Sequence, residues 1–370
     1  MYWLPAILVL PYIYLLLKIF RSLLHLSIFN VSTDPVTFVS VVVACRNEHK
    51  NLPVLLNSIV SQDYPKSLFE VIIVNDNSTD NTYEIAEGFI KNCNILAINN
   101  NGNGKKQALR TGIIASKGSL TITTDADCVM GKDWIRTIAA FYEKDKPDLI
   151  ICPVKIESVP GFFGKFQELE FLGLQGITAG SAFSAEGTIC NGANLAFTRE
   201  VYLNHSDNLH DDLISGDDVF LLHSLKEENQ SKIFWLESAD ALVTTASSST
   251  LRSFLKQRRR WISKGKVYKD RYTIILGIVT FITIILQISY LIASLIYPIL
   301  IWVFLFIFIL KSIPDFLILL NASGRYGKRY LMKWFLPVQL IYPFYVLSVV
   351  FYSFISREKR NINSPFPKET

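Results

Sequence analysis

Paired cysteines are missing from this chain. Its 370 residues hold five, Cys45, Cys93, Cys128, Cys152 and Cys190, and none stands at a CxxC spacing. That excludes a zinc module of ordinary ligand spacing and a disulfide framework, and it fits a reducing compartment. Also missing is the positive charge that precedes the apolar run of a secretory signal. Met1 to Leu17 is uncharged, Lys18 and Arg21 come after it, and no small-residue cleavage site follows. An uncleaved anchor with its N-terminus outside is the expectation, which leaves the next segment in the cytoplasm. Charge is absent again from Thr273 to Leu310. A helix needs about 20 apolar residues to cross the hydrocarbon core, so this run predicts two spans with a turn near Pro298.

Apolar residues are plentiful instead. Half of the chain is hydrophobic, mean hydropathy is +0.29, and the excess lies at the two ends. Trp334 to Ser356 predicts a further span. Between the spans runs a basic link with Lys311, Arg325, Lys328, Arg329 and Lys333, and the short piece Pro314 to Leu320 is a candidate for dipping into the bilayer. The tail residues Arg357, Lys359 and Arg360 prefer the inside, against the parity of one span before the middle segment and three after it. No ionisable residue is expected within a span, which disfavours a transporter. The net charge of +5 sits mainly beside the apolar ends, so a membrane, and not nucleic acid, is the partner it implies.

From Thr37 onward short β-branched runs alternate with helical patterns. TFVSVVVA, FEVIIV, NILAI, SLTITT and DLIICPV read as strands buried on both faces. Leu52 to Ser61, Thr82 to Ile90, Lys105 to Ala115 and Trp134 to Tyr142 read as helices. That alternation predicts an α/β fold with a mostly parallel, Rossmann-like sheet, whose ligands bind beyond the carboxyl ends of the strands. Polar residues gather at those ends: Cys45-Arg46-Asn47-Glu48, Asn75 to Asp80, Asn99 to Lys106, and Asp125-Ala126-Asp127. One such loop is ordinary turn chemistry. Four on one edge point to a site.

Asp125-Ala126-Asp127 suits a hard divalent cation, which favours one or two carboxylates plus substrate phosphates. Gly104-Lys105-Lys106 is no P-loop, because Asn99 stands where the first glycine is needed and Lys106 where Ser or Thr is. A lysine opening a helix beside a metal site still suits a diphosphate. Gly216-Asp217-Asp218 opens an apolar helical run, where carboxylates serve either as caps or as a general base for a hydroxyl. In Gln257-Arg258-Arg259-Arg260-Trp261, a juxtamembrane basic patch accounts for the arginines. It does not account for Gln257, Arg260 and Trp261 sharing one helix face with an amide, a guanidinium and a flat ring. His210 and His223 flank the Gly-Asp-Asp segment and read as structural histidines in preference to metal ligands.

Together these pieces resemble glycosyltransferase family 2, the inverting nucleotide-sugar enzymes of the GT-A fold, in the QxxRW branch shared with cellulose, chitin and hyaluronan synthases. The resemblance runs from Val36 to Lys266 through VVVACRNEHKNL, IIVNDNSTDNT, NGKKQAL, TTDADC, CNGANLAF, SGDD and QRRRW, in the family's order. It implies that Asp76 binds the nucleobase, helped by Ala44, Arg46 and Glu48, and that Lys105 lies near the donor phosphates. It implies that Asp125 and Asp127 hold a divalent metal, Mg2+ or Mn2+, with Asp127 the direct ligand. Asp218 becomes the catalytic base. Gln257, Arg260 and Trp261 hold diphosphate and acceptor, with Asp217, Gly192 and Asn194 beside them. Two departures weaken assignment to a named polymer synthase: the chain reads GDD for TED, and NDN for DDG.

The implied reaction is a single displacement at the anomeric carbon of a nucleotide-diphosphate sugar, of the UDP class, onto a lipid or glycan acceptor in glycolipid or polysaccharide synthesis at the cell envelope. The implied setting is a multi-pass protein of the inner membrane with a cytoplasmic catalytic domain. The segments are an anchor (1–33), a GT-A domain (34–271), a C-terminal membrane region (272–356) and a basic tail (357–370). A small processive synthase is the alternative, and a non-catalytic membrane scaffold the alternative of another class. A sugar nucleotidyltransferase would carry a glycine-rich loop where ACRNEHK stands, and a HAD-like phosphatase would carry its DxD after the first strand.

Overall fold

A computed structural model describes residues 4–90, 94–210, 213, 215–228 and 231–355. Cys93 and the tail arginines and lysine lie outside them. After a 3-10 turn over Leu4–Val9 comes helix α1 (Leu10–His25). The central part runs β1 (Val39–Cys45), α2 (Leu52–Val60), β2 (Phe69–Asn75), α3 (Thr82–Gly88), β3 (Ile95–Asn99), α4 (Lys105–Ala115), β4 (Leu120–Asp125), β5 (Val129–Met130) and α5 (Trp134–Asp145). It continues with β6 (Leu149–Ile151), β7 (Val154–Glu157), α6 (Phe162–Phe183), β8 (Leu195–Thr198), α7 (Arg199–His205), α8 (Asp217–Glu227), β9 (Ile233–Trp235), β10 (Val243–Ala246) and α9 (Leu251–Ser263). Helices α10 (Arg271–Ser294), α11 (Leu300–Arg325) and α12 (Phe335–Ile355) complete it.

The predicted strands form, and they order as β3-β2-β1-β4-β8-β6-β9. β1 is parallel to β2 and β4, and β8 alone runs antiparallel to both of its neighbours, β4 and β6. The β-branched runs explain the packing, since alternate side chains face opposite sides. Val39, Val41 and Val43 meet α2 and α5 on one face, while Val42, Ile72 and Val74 meet α4 on the other. Register places the site: Ala44 pairs with Val74 on one side and Asp125 on the other, so the strand ends line up. The DLIICPV run is the exception. It breaks at Cys152-Pro153, and its second half, β7, pairs with β10 in a separate small sheet together with β5. Proline lacks the N–H that a central ladder needs.

Among the described residues, four helices are long and apolar enough to cross a membrane: Pro5–His25, Arg271–Ser294, Leu300–Arg325 and Arg329–Ser353. The first of them carries Lys18 and Arg21 to His25, with Lys18 paired to Glu186 at 3.5 Å. Two expectations are corrected. Lys311 is not in a link, nor is Pro314 to Leu320 a separate dip, because α11 runs unbroken to Arg325. A span does hold ionisable residues. Lys311, 1% exposed, lies 2.6 Å from Asp315 and 2.9 Å from Gln339, while Tyr12 donates to Asp315 at 2.5 Å. Opposite charges one turn apart neutralise each other, and the amide and phenol satisfy the remaining oxygens, so the pair is tolerated in an apolar bundle.

Helix α6 has no counterpart among the predicted elements. It packs against α1 and α11, and its glycines allow close approach. A Cβ at Gly180 would stand 2.6 Å from the Ile19 carbonyl oxygen, and one at Gly176 would stand 2.7 Å from Ile318 Cγ2. Ile19 and Leu23 of α1 thereby join the same core as Val42 and Ile72 of the sheet.

Candidate active site

The loop after β1 is clasped to the loop after β2. Asn47, at φ 57°, donates its N–H to Ser78 Oγ at 3.0 Å and accepts the Thr79 N–H at 2.8 Å. Glu48 N–H donates to Thr82 Oγ1, and its carboxylate accepts from Asn51. Asp76, 2% exposed, accepts the Gly104 N–H on both oxygens (2.9 and 3.0 Å) and Asn100 Nδ2 at 2.8 Å. The Arg46 guanidinium lies 3.9 Å from it. Gly104 has φ +96°, a conformation glycine reaches without strain. Asp76 therefore organises the turn from which α4 starts, with Arg46 beside it.

Lys105, the first residue of α4, reaches across β1 to Asp125 Oδ1 at the end of β4. Burial alone would lower its pKa; Asp125, Asp217 and Asp218 outweigh burial and raise it. Lys106 turns the other way, donating to the Leu209 and His210 carbonyls. Asp127 accepts from Thr245 Oγ1 of β10 at 3.2 Å, and its carboxyl is pushed up by burial and by the charge of Asp125. A carboxylate pair in which one member resists ionisation is a fit for a divalent cation that shares its shell with substrate oxygens. Among the described residues, no third histidine, cysteine, aspartate or glutamate completes a cage.

Asp218 opens α8. It accepts the Gly192 N–H at 3.0 Å and the Val219 N–H at 2.8 Å, and Lys264 Nζ lies 3.9 Å away. Burial works to raise its pKa, but Lys264 and the two amides prevail and hold the carboxyl below its ordinary value. Its neighbour Asp217 goes the other way, raised by burial and by Asp218 itself. Gly216 precedes them at φ +105°, and a Cβ there would stand 2.8 Å from Lys264 Cδ. The glycine that replaces the expected threonine thus makes room for the lysine.

Trp261 on α9 packs against Val154, Ile156 and Phe171. Ile156 pairs with Thr245 in the small sheet, so the tryptophan lies one strand from the threonine that holds Asp127. Gln257 accepts from Arg258 at 2.6 Å, and Arg260 is exposed. Lys105 contacts the acidic triplet at Asp125 and lies within electrostatic reach of the Asp217-Asp218 pair. Lys264, just beyond α9, stands beside Asp218, and Thr245 bonds Asp127. Asn194 is not brought to the cleft. It is wholly buried, accepting from Trp134 Nε1 and donating to the Pro153 and Ala241 carbonyls, which leaves its NH2 no donor for a ligand. His210 packs on Phe220, and His223 bonds the Thr188 carbonyl with its pKa lowered by burial. Thr245 and Lys264 were not foreseen, because a lone threonine or one lysine among several carries no spacing signal.

Residues 40–204 match the family model for glycosyl transferase family 2. The chain is 32% identical over 126 residues to the poly(ribitol-phosphate) beta-N-acetylglucosaminyltransferase of Staphylococcus aureus, covering 33% of this chain and 21% of that protein. It is 25% identical over 293 residues to the dolichyl N-acetyl-alpha-D-glucosaminyl phosphate 3-beta-D-2,3-diacetamido-2,3-dideoxy-beta-D-glucuronosyltransferase of Methanococcus voltae, covering 75% of this chain and 86% of that one. Among solved structures it is similar to a mannosyltransferase from Pyrobaculum calidifontis in complex with GDP-Man and Mn2+, with TM-score 0.57 and 16% identity over 97% of this chain and 100% of the other. The chain therefore spans about a fifth of the length of its staphylococcal relative, and the archaeal structure shows the likeness of fold alone. On the match over residues 40–204 and the sheet and motifs that surround it, the chain carries a glycosyl transferase family 2 domain.

Proposed function

We propose that this protein is an inverting, membrane-anchored glycosyltransferase that moves a sugar from a nucleoside-diphosphate donor, of the UDP class, to a hydroxyl of a lipid-linked or saccharide acceptor. The observation that carries this reading is the contact of Lys105 with Asp125, within electrostatic reach of Asp127, Asp217 and Asp218. Asp218, kept ionised by Lys264 and two backbone amides, takes the proton of the attacking hydroxyl. With one base and no second carboxylate acting as nucleophile, the anomeric centre inverts. Lys105 and Arg260 meet charge developing on the departing diphosphate. Asp76, Arg46, Glu48 and Ala44 line the nucleoside end, and Gly192, Asp217, Gln257 and Trp261 the acceptor end. Asp125 and Asp127 would hold a divalent cation, Mg2+ or Mn2+, whose chemistry is charge neutralisation on the donor diphosphate.

The name of the archaeal relative, in which a dolichyl phosphate sugar appears, supports a lipid-linked acceptor. The four membrane-length helices among the described residues are few for a synthase that threads a polymer, which favours one or a few transfers. Lys256, Arg259, Lys266, Lys269 and Arg271 stand where α9 leads into α10, and this basic margin supports a cytoplasmic, inner-membrane placement of the domain. The segments 1–33, 34–271, 272–356 and 357–370 are proposed as anchor, catalytic domain, membrane region and tail. The test is Asp218→Asn, assayed with a panel of labelled nucleotide sugars on membrane extracts. Transfer should fall by roughly 10²–10⁴-fold with UDP binding intact, and turnover near wild type removes the base.

A further inference from the structure

The QxxRW pattern leaves its second and third positions open, so the resemblance gives Arg258 no role. Yet Arg258 is the buried arginine of the run, 3% exposed, while Arg260 faces outward. Its guanidinium forms a fork on Glu170 of α6, Nε to Oε1 at 2.9 Å and Nη2 to Oε2 at 2.5 Å. Its remaining nitrogen donates to the Gln257 amide oxygen at 2.6 Å. The plane lies over two rings, with its carbon 4.0 Å from the centre of Trp261 and 4.6 Å from that of Phe254. Two of the three motif side chains, Gln257 and Trp261, are therefore held by one residue outside the motif.

Glu170 is held in turn. Tyr345, in the last membrane-length helix α12, donates its hydroxyl to Glu170 Oε1 at 3.0 Å. The same tyrosine ring stacks on Phe254 at 5.4 Å and meets Phe166 edge-on at 5.1 Å. A bidentate arginine–carboxylate pair keeps its partners in fixed planes, and lysine does not reproduce it.

We propose that Arg258 is a positioning residue, which with Glu170 and Tyr345 sets the plane of Trp261 and the amide of Gln257 by reference to the last membrane helix. This rests on the transferase reading for what Trp261 and Gln257 do, though not for the linkage itself. Geometry at the motif is then a property of the assembled membrane bundle. Disturbing Tyr345 acts on Trp261 without any direct contact between them.

The full-length chain, labelled with 5-fluorotryptophan and held in nanodiscs, tests this. The fluorine resonance lost in Trp261→Phe identifies residue 261. Glu170→Gln and Tyr345→Phe should each shift or broaden that resonance and leave those of the other tryptophans in place, while Phe344→Leu, a half-exposed neighbour in the same helix, should change nothing. Affinity for UDP with Mn2+, measured by calorimetry, should weaken about three- to tenfold in Glu170→Gln, Tyr345→Phe and Arg258→Lys. Adding Tyr345→Phe to Arg258→Lys should cost less than a further twofold, because both cut one linkage. A residue 261 resonance indifferent to Glu170→Gln and Tyr345→Phe overturns the proposal, as do effects that multiply. A resonance that moves in a protein binding neither UDP nor GDP upholds the linkage and removes the transferase reading.

Discussion

Asp218 is buried, which favours its neutral form, and the base proposed for it must be ionised to work. Lys264 resolves the conflict, and its removal has a definite sign. Without the ammonium the carboxylate loses its main support, its pKa rises, and the acid limb of the rate profile moves to higher pH. Lys264→Met should therefore shift that limb upward, read from initial rates across the acid range with UDP binding as a control. An unmoved limb would mean that another group sets it. At this scale the motifs are legible in sequence where chemistry concentrates several polar residues in a few positions, as in Asp125-Ala126-Asp127 and Gly216-Asp217-Asp218. Lys264 and Thr245 escape because their partners, Asp218 and Asp127, are far away along the chain. Asn194 misleads for the opposite reason. It lies within the CNGANLAF segment of the resemblance but spends its amide on the main chain of Pro153 and Ala241.

Among elements, α6 governs how the membrane helices meet the sheet. Gly180→Val should push α1 away, since its Cβ would stand 2.6 Å from the Ile19 oxygen and backbone cannot rotate aside. A loss of about 1–3 kcal/mol is expected, read as a lower midpoint of thermal unfolding in detergent. Within α11, Lys311→Met leaves Asp315 buried with only Tyr12 and Gln339 as partners, and breaking such a pair costs roughly 3–5 kcal/mol. Lys311→Met with Asp315→Leu should recover much of that, and equal loss in both variants would show that the charges do not interact. The strands were readable because continuous β-branched runs have one buried solution in a parallel sheet. Helix α6 was not, because Gln167, Glu168 and Gln175 are buried alongside its apolar residues, which erases the usual contrast between faces. Lys311 and Asp315 interrupted an apolar run that their mutual neutralisation in fact continues.

At the scale of the whole molecule, α1 is part of the wall behind the sheet. Leu23 and Leu26 carbonyls accept from Arg325 at the far end of α11, and Ile19 and Leu23 share a cluster with sheet residues. Removing residues 1–26 should leave apolar surface on the second face of the sheet, and the shortened protein should elute as aggregate on gel filtration where the full chain does not. A monodisperse product would show that the sheet closes without α1. None of this is visible in a hydropathy pattern, which sees an anchor and a domain but no contact between them. The Tyr12–Asp315 hydrogen bond joins residues 303 positions apart, and the whole sheet lies between its two helices in the sequence. Helix α1 can pack on α6 early, but Tyr12 must wait for its partner until α11 has been synthesised. Completion of this fold is thus gated by α11, and a nascent chain arrested before it carries the residues of the proposed cleft but cannot finish the wall behind them.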